Sequence, residues 1–280
     1  MDTTSTTVRR HLREVRAALR VVLGVLATLV LAALHAGRVR TPELTTQVAD
    51  ARSLVVLVHG FGAGPDCWDT VADALGGPGV AVVTHRYTWT TGVPELGARL
   101  ADEVRDLARR SGARSVTLVG HSLGGVVVAA SLAGGRLAGV VTRVVTVAAP
   151  LRGTRWAHLF PVGAVRDLRA GSPVLRSLAD VPVTAGTPWT ALASRADVVV
   201  ATDAAALEGT EAVVVDGVGH CGLLSDTGVV ARIAGLARPA RPVRPARRDA
   251  ANALFAASMR AKSPLIMQTT AVRPALTLVA

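Results

Sequence analysis

A serine held between glycines directly after an apolar run is the feature that most constrains this chain. Residues 117–125 read TLVGHSLGG, which places Ser122 at the centre of a G-x-S-x-G pattern. Residues 115–119 predict a strand and residues 123–132 predict a helix, so the chain must turn sharply between them. Glycines two residues on either side keep side chains from colliding with neighbouring backbone. Alone, the pattern marks only a glycine-rich turn; with its flanks, it predicts a nucleophilic serine at the N-terminus of a helix.

The body of the chain, residues 41–236, alternates short β-branched runs with helix-like segments. Residues 94–110 are the clearest predicted helix, with proline in the first turn and apolar residues at 3.6-residue spacing. Two arginines stand at its C-terminal end, where the helix dipole favours positive charge. The alternation predicts an α/β protein with a compact, mostly parallel sheet and helices on both faces. About six strands are predicted, at residues 53–58, 80–84, 115–119, 143–148, 189–193 and 212–215.

Residues 150–187 break this alternation, because they contain four prolines and no predicted strand. Insertions of this kind in open parallel sheets lie over the carboxyl ends of the strands, where ligands bind. We therefore expect a small cap, and its apolar residues Trp156, Leu159 and Phe160 favour an apolar substrate.

A serine hydroxyl becomes a good nucleophile when a base removes its proton, and the base needs an acid to fix its tautomer. Where a nucleophilic serine stands in such a turn between a strand and a helix, the three catalytic residues follow one another in the chain order Ser, acid, His. Beyond Ser122 the sequence holds two histidines, His158 in the insertion and His220 in VVVDGVGHCGLL. We predict that His220 is the base, because it follows a strand and a glycine-rich turn; a structural, hydrogen-bonded histidine is the alternative.

The acid is predicted to be Asp197, which follows the strand and turn in TPWTALASRA and precedes His220 by 23 residues. Asp203 lies six residues later and competes for the role. Asp216 is expected to serve only its own turn through short-range backbone hydrogen bonds.

Charge that develops on a substrate carbonyl oxygen needs backbone N–H donors directed at it. The residue after the nucleophile, Leu123, supplies one such donor. The loop after the first core strand supplies the second, and in LVVLVHGFGAG the candidate is the N–H of Phe61. The alternative is a glycine-rich loop that only borders the strand.

The net charge of +11 is concentrated at the two ends of the chain, and the body is nearly neutral. Such a body offers no continuous phosphate-binding face, and few aromatic residues are available for base stacking, which argues against nucleic-acid binding. Residues 237–280 are rich in proline, alanine and arginine and predict a solvated, extended tail.

Residues 1–40 begin with a basic stretch and continue with an uncharged apolar run at residues 21–36. The order of the two favours an uncleaved signal anchor with the N-terminus in the cytoplasm and the catalytic domain outside. A cleaved signal that releases a secreted protein remains open, as does an amphipathic or buried helix.

Five segments together resemble the α/β-hydrolase superfamily, and within it bacterial triacylglycerol lipases and esterases. LVHGFG resembles the lipase oxyanion loop and GHSLGG the nucleophile elbow, and VVTVAAPLRGT, SRADVVV and GVGHCGLLSD follow in the family's order. The resemblance covers residues 53–236. It implies Ser122 as nucleophile, His220 as base and then acid, Asp197 as its partner, and Phe61 and Leu123 as oxyanion donors.

What the resemblance implies is cleavage of carboxylic esters, with lipid or other acyl esters as substrates, through an acyl-enzyme. An acyltransferase with the same triad and a non-catalytic binding module on the same fold are the alternatives. No cofactor is expected, and no residues stand at metal-ligand spacing. Cys67 and Cys221 follow two of the motifs, so either a disulfide or two free buried thiols is possible. The oligomeric state is left open.

Overall fold

The computed structural model describes residues 51–160 and 163–238. The predicted N-terminal segment 1–40 lies outside the described residues, and so does the predicted tail beyond residue 238. Within the described ranges, no helix combines the length and apolar character needed to cross a bilayer.

In the described residues six strands, numbered β1 to β6 along the chain, form one sheet in the order β2-β1-β3-β4-β5-β6, and every neighbouring pair is parallel. The predicted compact, parallel sheet is confirmed, with strand ends that differ from the prediction by at most two residues. Because the pairs are parallel, the carboxyl ends of all six strands meet at one edge. The strands are β1 Ser53–Val58, β2 Val80–His85, β3 Ser115–His121, β4 Arg143–Val147, β5 Trp189–Ser194 and β6 Glu211–Val215.

Helices cover both faces of the sheet, as the α/β class predicts. On one face the helices Val93–Ser111 and Leu123–Leu132 pack in one apolar cluster, and on the other face Asp69–Leu75 and Thr227–Ala237 pack in a second. Short 3₁₀ segments occupy Pro65–Trp68, Ala133–Gly135, Arg155–His158, Thr202–Ala204 and His220–Leu224. The α-helices are α1 Asp69–Leu75, α2 Val93–Ser111, α3 Leu123–Leu132, α4 Gly163–Asp167, α5 Pro173–Ser177, α6 Val181–Thr184 and α7 Thr227–Ala237.

Helix α2 forms where the apolar periodicity predicts it. Its buried residues include Leu96, Leu100, Val104 and Leu107, which follow one another at intervals of three or four and so lie on one face. The helix ends at Gly112, whose φ of 63° is a left-handed conformation that glycine adopts without steric cost.

Helix α3 carries the residues that follow Ser122, and it is enclosed on all sides. All ten of its residues are buried, which explains why its sequence is apolar around the whole circumference. It lies directly against α2: a Cβ atom at Gly97 would be 2.5 Å from the Cβ of Ala130. This close contact fixes the helix that follows the candidate nucleophile.

The described part of residues 150–187 consists of turns and short helices over the carboxyl edge of the sheet. Two hydrogen bonds attach it to the end of the loop before α2 and to the first residue of that helix. The Val93 N–H donates to a carboxylate oxygen of Asp167 at 2.9 Å, and the Ala164 N–H donates to the Trp89 carbonyl at 2.9 Å. The cap is therefore anchored beside the edge where the strands end.

Candidate active site

Ser122 occupies a strained turn between β3 and α3. Its φ of 53° and ψ of −124° lie in a region that residues with a side chain rarely adopt. A conformation of this kind costs about 1–3 kcal/mol and persists where surrounding contacts hold it. Here the Ser122 N–H donates to the Val147 carbonyl at 2.9 Å, and the Ser122 carbonyl accepts from the Gly125 N–H at 3.0 Å.

The glycines around Ser122 are required by close contacts between backbones. A Cβ atom at Gly124 would lie 2.2 Å from the Val58 carbonyl oxygen, and one at Gly120 would lie 2.6 Å from the Gly125 Cα. Both distances are far inside van der Waals contact. The turn can therefore form only with glycine at these positions. The sequence pattern predicts this requirement, because any side chain there would collide with neighbouring backbone.

Three side chains from distant parts of the chain meet at this turn. The Ser122 hydroxyl lies 2.9 Å from Nε2 of His220, and Nδ1 of the same ring lies 2.6 Å from Oδ2 of Asp197. His220 begins the 3₁₀ segment after β6, and Asp197 follows the end of β5. The structure thus brings together the three residues for which the sequence predicts the roles of nucleophile, base and acid.

Asp197 is held as a carboxylate by its surroundings. Its side chain has no exposed surface, and its Oδ1 accepts the N–H groups of Val199 at 2.7 Å and Val200 at 2.9 Å. Burial by itself raises the pKa of Asp197, but the hydrogen bond and charge of His220 and the two backbone donors outweigh it, so the net pKa is lowered. An ionised carboxylate fixes the ring of His220 with Nδ1 protonated and Nε2 facing the serine.

The competing residues lie elsewhere. Asp203 is exposed in the turn Thr202–Ala204, and His158 is exposed at the end of the segment Arg155–His158. The expectation that Asp216 serves only its own turn was wrong, because its carboxylate makes an exposed ion pair with Arg195 at 2.8 Å. That pair joins the loops after β5 and β6, a contact across 21 residues that local turn patterns do not reveal.

The loop after β1 passes directly over the serine. A Cβ atom at Gly60 would lie 3.1 Å from the Cβ of Ser122, so the loop approaches as closely as glycine allows. The Tyr87 hydroxyl donates to the His59 carbonyl at 2.6 Å, and the two rings stack at 4.4 Å. These contacts hold the main chain that leads into Phe61, one of the two predicted oxyanion donors.

The second predicted donor, Leu123, is the first residue of α3. The N–H groups in the first turn of a helix have no partner within the helix, and the helix dipole makes this end favourable for negative charge. The N–H of Leu123 therefore suits a developing oxyanion beside Ser122. The roles of both donors stay predictions.

Aromatic side chains from two loops and the predicted cap form a cluster beside the loop that passes over the serine. The ring of Phe61 lies 4.9 Å from that of Trp89 and 5.7 Å from that of Phe160. Leu159, next in the cap, is 60% exposed, and Val198, next to the candidate acid, is 58% exposed. Exposed apolar side chains therefore lie in the predicted cap and next to the candidate acid.

His121 is a residue near the site for which the sequence analysis predicted no role. Its ring lies 4.9 Å from the ring of His220, and its Nε2 lies 3.3 Å from the His220 carbonyl oxygen. Its position directly before the nucleophile was the available signal, but the pattern G-x-S-x-G leaves that position unspecified.

Both cysteines are free thiols, so the disulfide that the sequence left open is absent. Cys221 is exposed, so the expectation of two buried thiols also fails for it. Cys67 is half-buried, and burial, with Asp66 and Asp69 nearby, raises the pKa of its thiol to about 12. Among the described residues, no group of three or more His, Cys, Asp or Glu side chains is placed to hold a metal ion.

A family model described as the alpha/beta hydrolase family matches residues 55–233. A search of curated protein sequences finds no match. Several solved structures share the fold. The mature form of the Bacillus licheniformis lipase BlEst2 is 20% identical, with a TM-score of 0.58, and the match covers 72% of this chain and 96% of the lipase.

Two further structures are similar at lower identity. Phospholipase PlaB from Legionella pneumophila, in complex with thio-NAD, is 14% identical with a TM-score of 0.55, covering 74% of this chain and 62% of PlaB. Est1E from Butyrivibrio proteoclasticus is 17% identical with a TM-score of 0.51, and the match covers 66% of this chain and 87% of Est1E. At these identities the likeness shows the fold.

Exchanging the carboxylate of Asp197 for an amide tests the choice of acid. Asp197→Asn removes the charge that fixes the His220 tautomer, so kcat for a p-nitrophenyl ester should fall on the order of 10³-fold or more. Asp203→Asn is the matched control and should keep kcat within about threefold, because its side chain is exposed and outside the hydrogen-bonded chain. A larger loss in the Asp203 variant would show that the acid is misassigned.

Proposed function

The chain belongs to the alpha/beta hydrolase family, and from this premise we propose that it is a serine hydrolase of carboxylic esters. The observation that carries the proposal is the hydrogen-bonded chain Ser122–His220–Asp197 at the carboxyl edge of the sheet. A serine, an imidazole and a buried carboxylate in this order are the parts that acyl transfer requires.

In the proposed reaction the Ser122 hydroxyl attacks the ester carbonyl carbon while its proton moves to Nε2 of His220. The carbonyl oxygen becomes an oxyanion, which the N–H groups of Phe61 and Leu123 stabilise. The protonated His220 then gives its proton to the leaving alkoxide, the C–O bond breaks, and the acyl group remains on the serine. Water, deprotonated by His220, then attacks the acyl carbon. The bond from that carbon to the Ser122 oxygen breaks, His220 returns the proton to this oxygen, and the acid is released.

We propose that the substrates are lipid or other acyl esters, with triacylglycerols as one candidate. Support comes from the apolar side chains of the loop over the serine and of the segments beside it, which suit an acyl chain better than a charged or strongly hydrated substrate. They are Phe61, Trp89, Phe160 and Leu159. The similar structures include proteins named as a lipase and a phospholipase, which agrees with an apolar substrate.

We further propose that the catalytic domain acts outside the cytoplasm, tethered to the membrane by the apolar run within residues 1–40, or secreted if that segment is cleaved. The support is the sequence alone: a basic stretch followed by the uncharged run at residues 21–36.

Cell fractionation tests the membrane tether. The full chain should sediment with membranes and be degraded by protease added outside the cytoplasm, whereas a chain beginning at residue 41 should appear in the soluble fraction. Recovery of the full chain in the soluble cytoplasmic fraction would contradict this assignment.

Removal of the serine hydroxyl tests the catalytic proposal. Ser122→Ala should fold normally and lose kcat/KM for p-nitrophenyl esters on the order of 10³-fold or more, because the acyl-enzyme has no attachment atom. A fluorophosphonate probe, located by peptide mass spectrometry, should label Ser122 in the wild type and leave the variant unlabelled.

Three other results would change the assignment. Activity of Ser122→Ala within tenfold of wild type would rule out Ser122 as nucleophile. Folded wild-type protein that neither labels nor hydrolyses esters would favour a binding module. Labelling of Ser122 together with ester formation from an added alcohol, at rates above hydrolysis, would favour an acyltransferase.

Truncation of the aromatic ring in the cap tests the acyl contact. Phe160→Ala should lower kcat/KM for p-nitrophenyl decanoate by roughly tenfold and leave the butyrate ester within about twofold, because only the longer chain reaches the lost ring. Val214→Ala is the control, since it removes a partly exposed apolar side chain from edge strand β6. An equal loss for both esters in Phe160→Ala would contradict the acyl contact.

A further inference from the structure

The imidazole of His121 lies against the catalytic apparatus without belonging to it. His121 is the last residue of β3 and directly precedes Ser122. It is 6% exposed. A polar ring buried beside a reactive centre needs a hydrogen-bond partner, and the identity of that partner indicates what the ring does.

The segment that carries His220, residues 216–220, is held at separate points. Asp216 pairs with Arg195, and the Gly219 carbonyl accepts the Gly222 N–H at 2.9 Å. The segment contains Gly217 and Gly219, and at both positions the space where a Cβ atom would lie is empty to 4 Å. Ser194 donates its hydroxyl to the Val218 carbonyl at 2.5 Å, which holds the middle of the segment. Because two glycines give this segment conformational freedom, the position of His220 depends on these contacts, on the hydrogen bond of its ring to Asp197 and on the contacts of its own main chain.

His121 makes that contact. Its Nε2 lies 3.3 Å from the carbonyl oxygen of His220, and because a carbonyl only accepts, Nε2–H of His121 is the donor. The two rings also lie 4.9 Å apart at an interplanar angle of 40°. One side chain therefore touches both the main chain and the ring of the candidate base.

The other sides of His121 are closed by neighbours that leave it little freedom. A Cβ atom at Gly60 would lie 3.2 Å from Nδ1 of His121, so the loop after β1 passes close to this edge of the ring. The Trp68 ring meets it edge-on at 6.5 Å. His121 thus lies between the loop after β1 and the segment that carries His220, so a displacement of either would change the position of its ring.

The buried position also keeps His121 uncharged. Burial first, and the neighbouring His220 second, lower the pKa of His121 to about 3, although the hydrogen bond to the His220 carbonyl acts in the opposite direction. A neutral imidazole carries one N–H, and the geometry assigns it to Nε2. When His220 takes the serine proton, no second positive charge then stands beside it.

We propose that His121 is a positioning residue, whose Nε2–H holds the His220 carbonyl and so keeps the His220 ring within hydrogen-bond distance of Ser122. The proposal rests on the proposed function, because it gives His121 a task only if His220 acts as the base.

Two substitutions separate the hydrogen bond from the ring. His121→Phe keeps an aromatic ring against His220 and removes the donor, whereas His121→Gln keeps a neutral N–H donor near the position of Nε2. His121→Phe should lower kcat for p-nitrophenyl butyrate about tenfold with KM within twofold, and His121→Gln should stay within about threefold of wild type. Circular dichroism and fluorophosphonate titration give the folded and active fractions for normalisation.

Three results of this comparison would overturn the proposal: equal losses in both variants, which would indicate that the ring shape matters; activity near wild type in both; or a raised KM at unchanged kcat, which would indicate a role in substrate binding. Wild-type protein that is folded but does not hydrolyse esters would instead refute the proposed function.

A measurement on the wild type decides the hydrogen bond even if His121→Phe does not fold. Long-range ¹⁵N–¹H correlation spectra, assigned by comparison with His121→Gln, should show the His121 ring as the neutral tautomer with Nε2 protonated at pH 7. The Nδ1–H tautomer or a charged ring would overturn the proposal, whatever the enzyme's activity.

Discussion

The close approach of helix α3 to the end of strand β1 is the contact on which the rest of the site depends. The backbone of Gly124 lies where any side chain would overlap the Val58 carbonyl, so the helix can approach the strand this closely only with glycine there. This contact forces the turn before the helix into the strained conformation of Ser122, and the hydrogen bond to Val147 of β4 holds it there. The strain of Ser122 and its exposure to the His220 ring thus arise from the same turn.

Parallel pairing explains how residues far apart in sequence reach that turn. His220 and Asp197 are separated from each other by 23 residues, and His220 from Ser122 by 98. Each follows the carboxyl end of a different strand, and in a parallel sheet those ends share one edge. The sheet thus supplies the proximity, and local hydrogen bonds such as those from Val199 and Val200 to Asp197 supply the orientation.

The sequence predicted what depends on local periodicity and on chain order, and missed what depends on contacts across the fold. Strand β1 and helix α3 occupy the predicted residues, because apolar runs and glycine punctuation are local signals. The preference for Asp197 over Asp203 rested on position after a strand. The partner of Asp216 was missed because Arg195 lies on another loop. The contact of His121 was missed because its acceptor is a main-chain carbonyl oxygen, which every residue type has.

A cavity of about 670 Å³ lies at the opposite, amino edge of the sheet, and its position argues that size alone does not identify a substrate site. It is lined in part by Val116 and Thr142, near the starts of β3 and β4, and by Arg105, whose guanidinium already pairs with Asp102 at 2.8 Å. No residue of the Ser122 site borders it. In an open parallel sheet ligands bind at the carboxyl edge, which is where Ser122, His220 and Asp197 meet. If the proposed function holds, we expect the loops and the apolar residues of the predicted cap at that edge to select the ester.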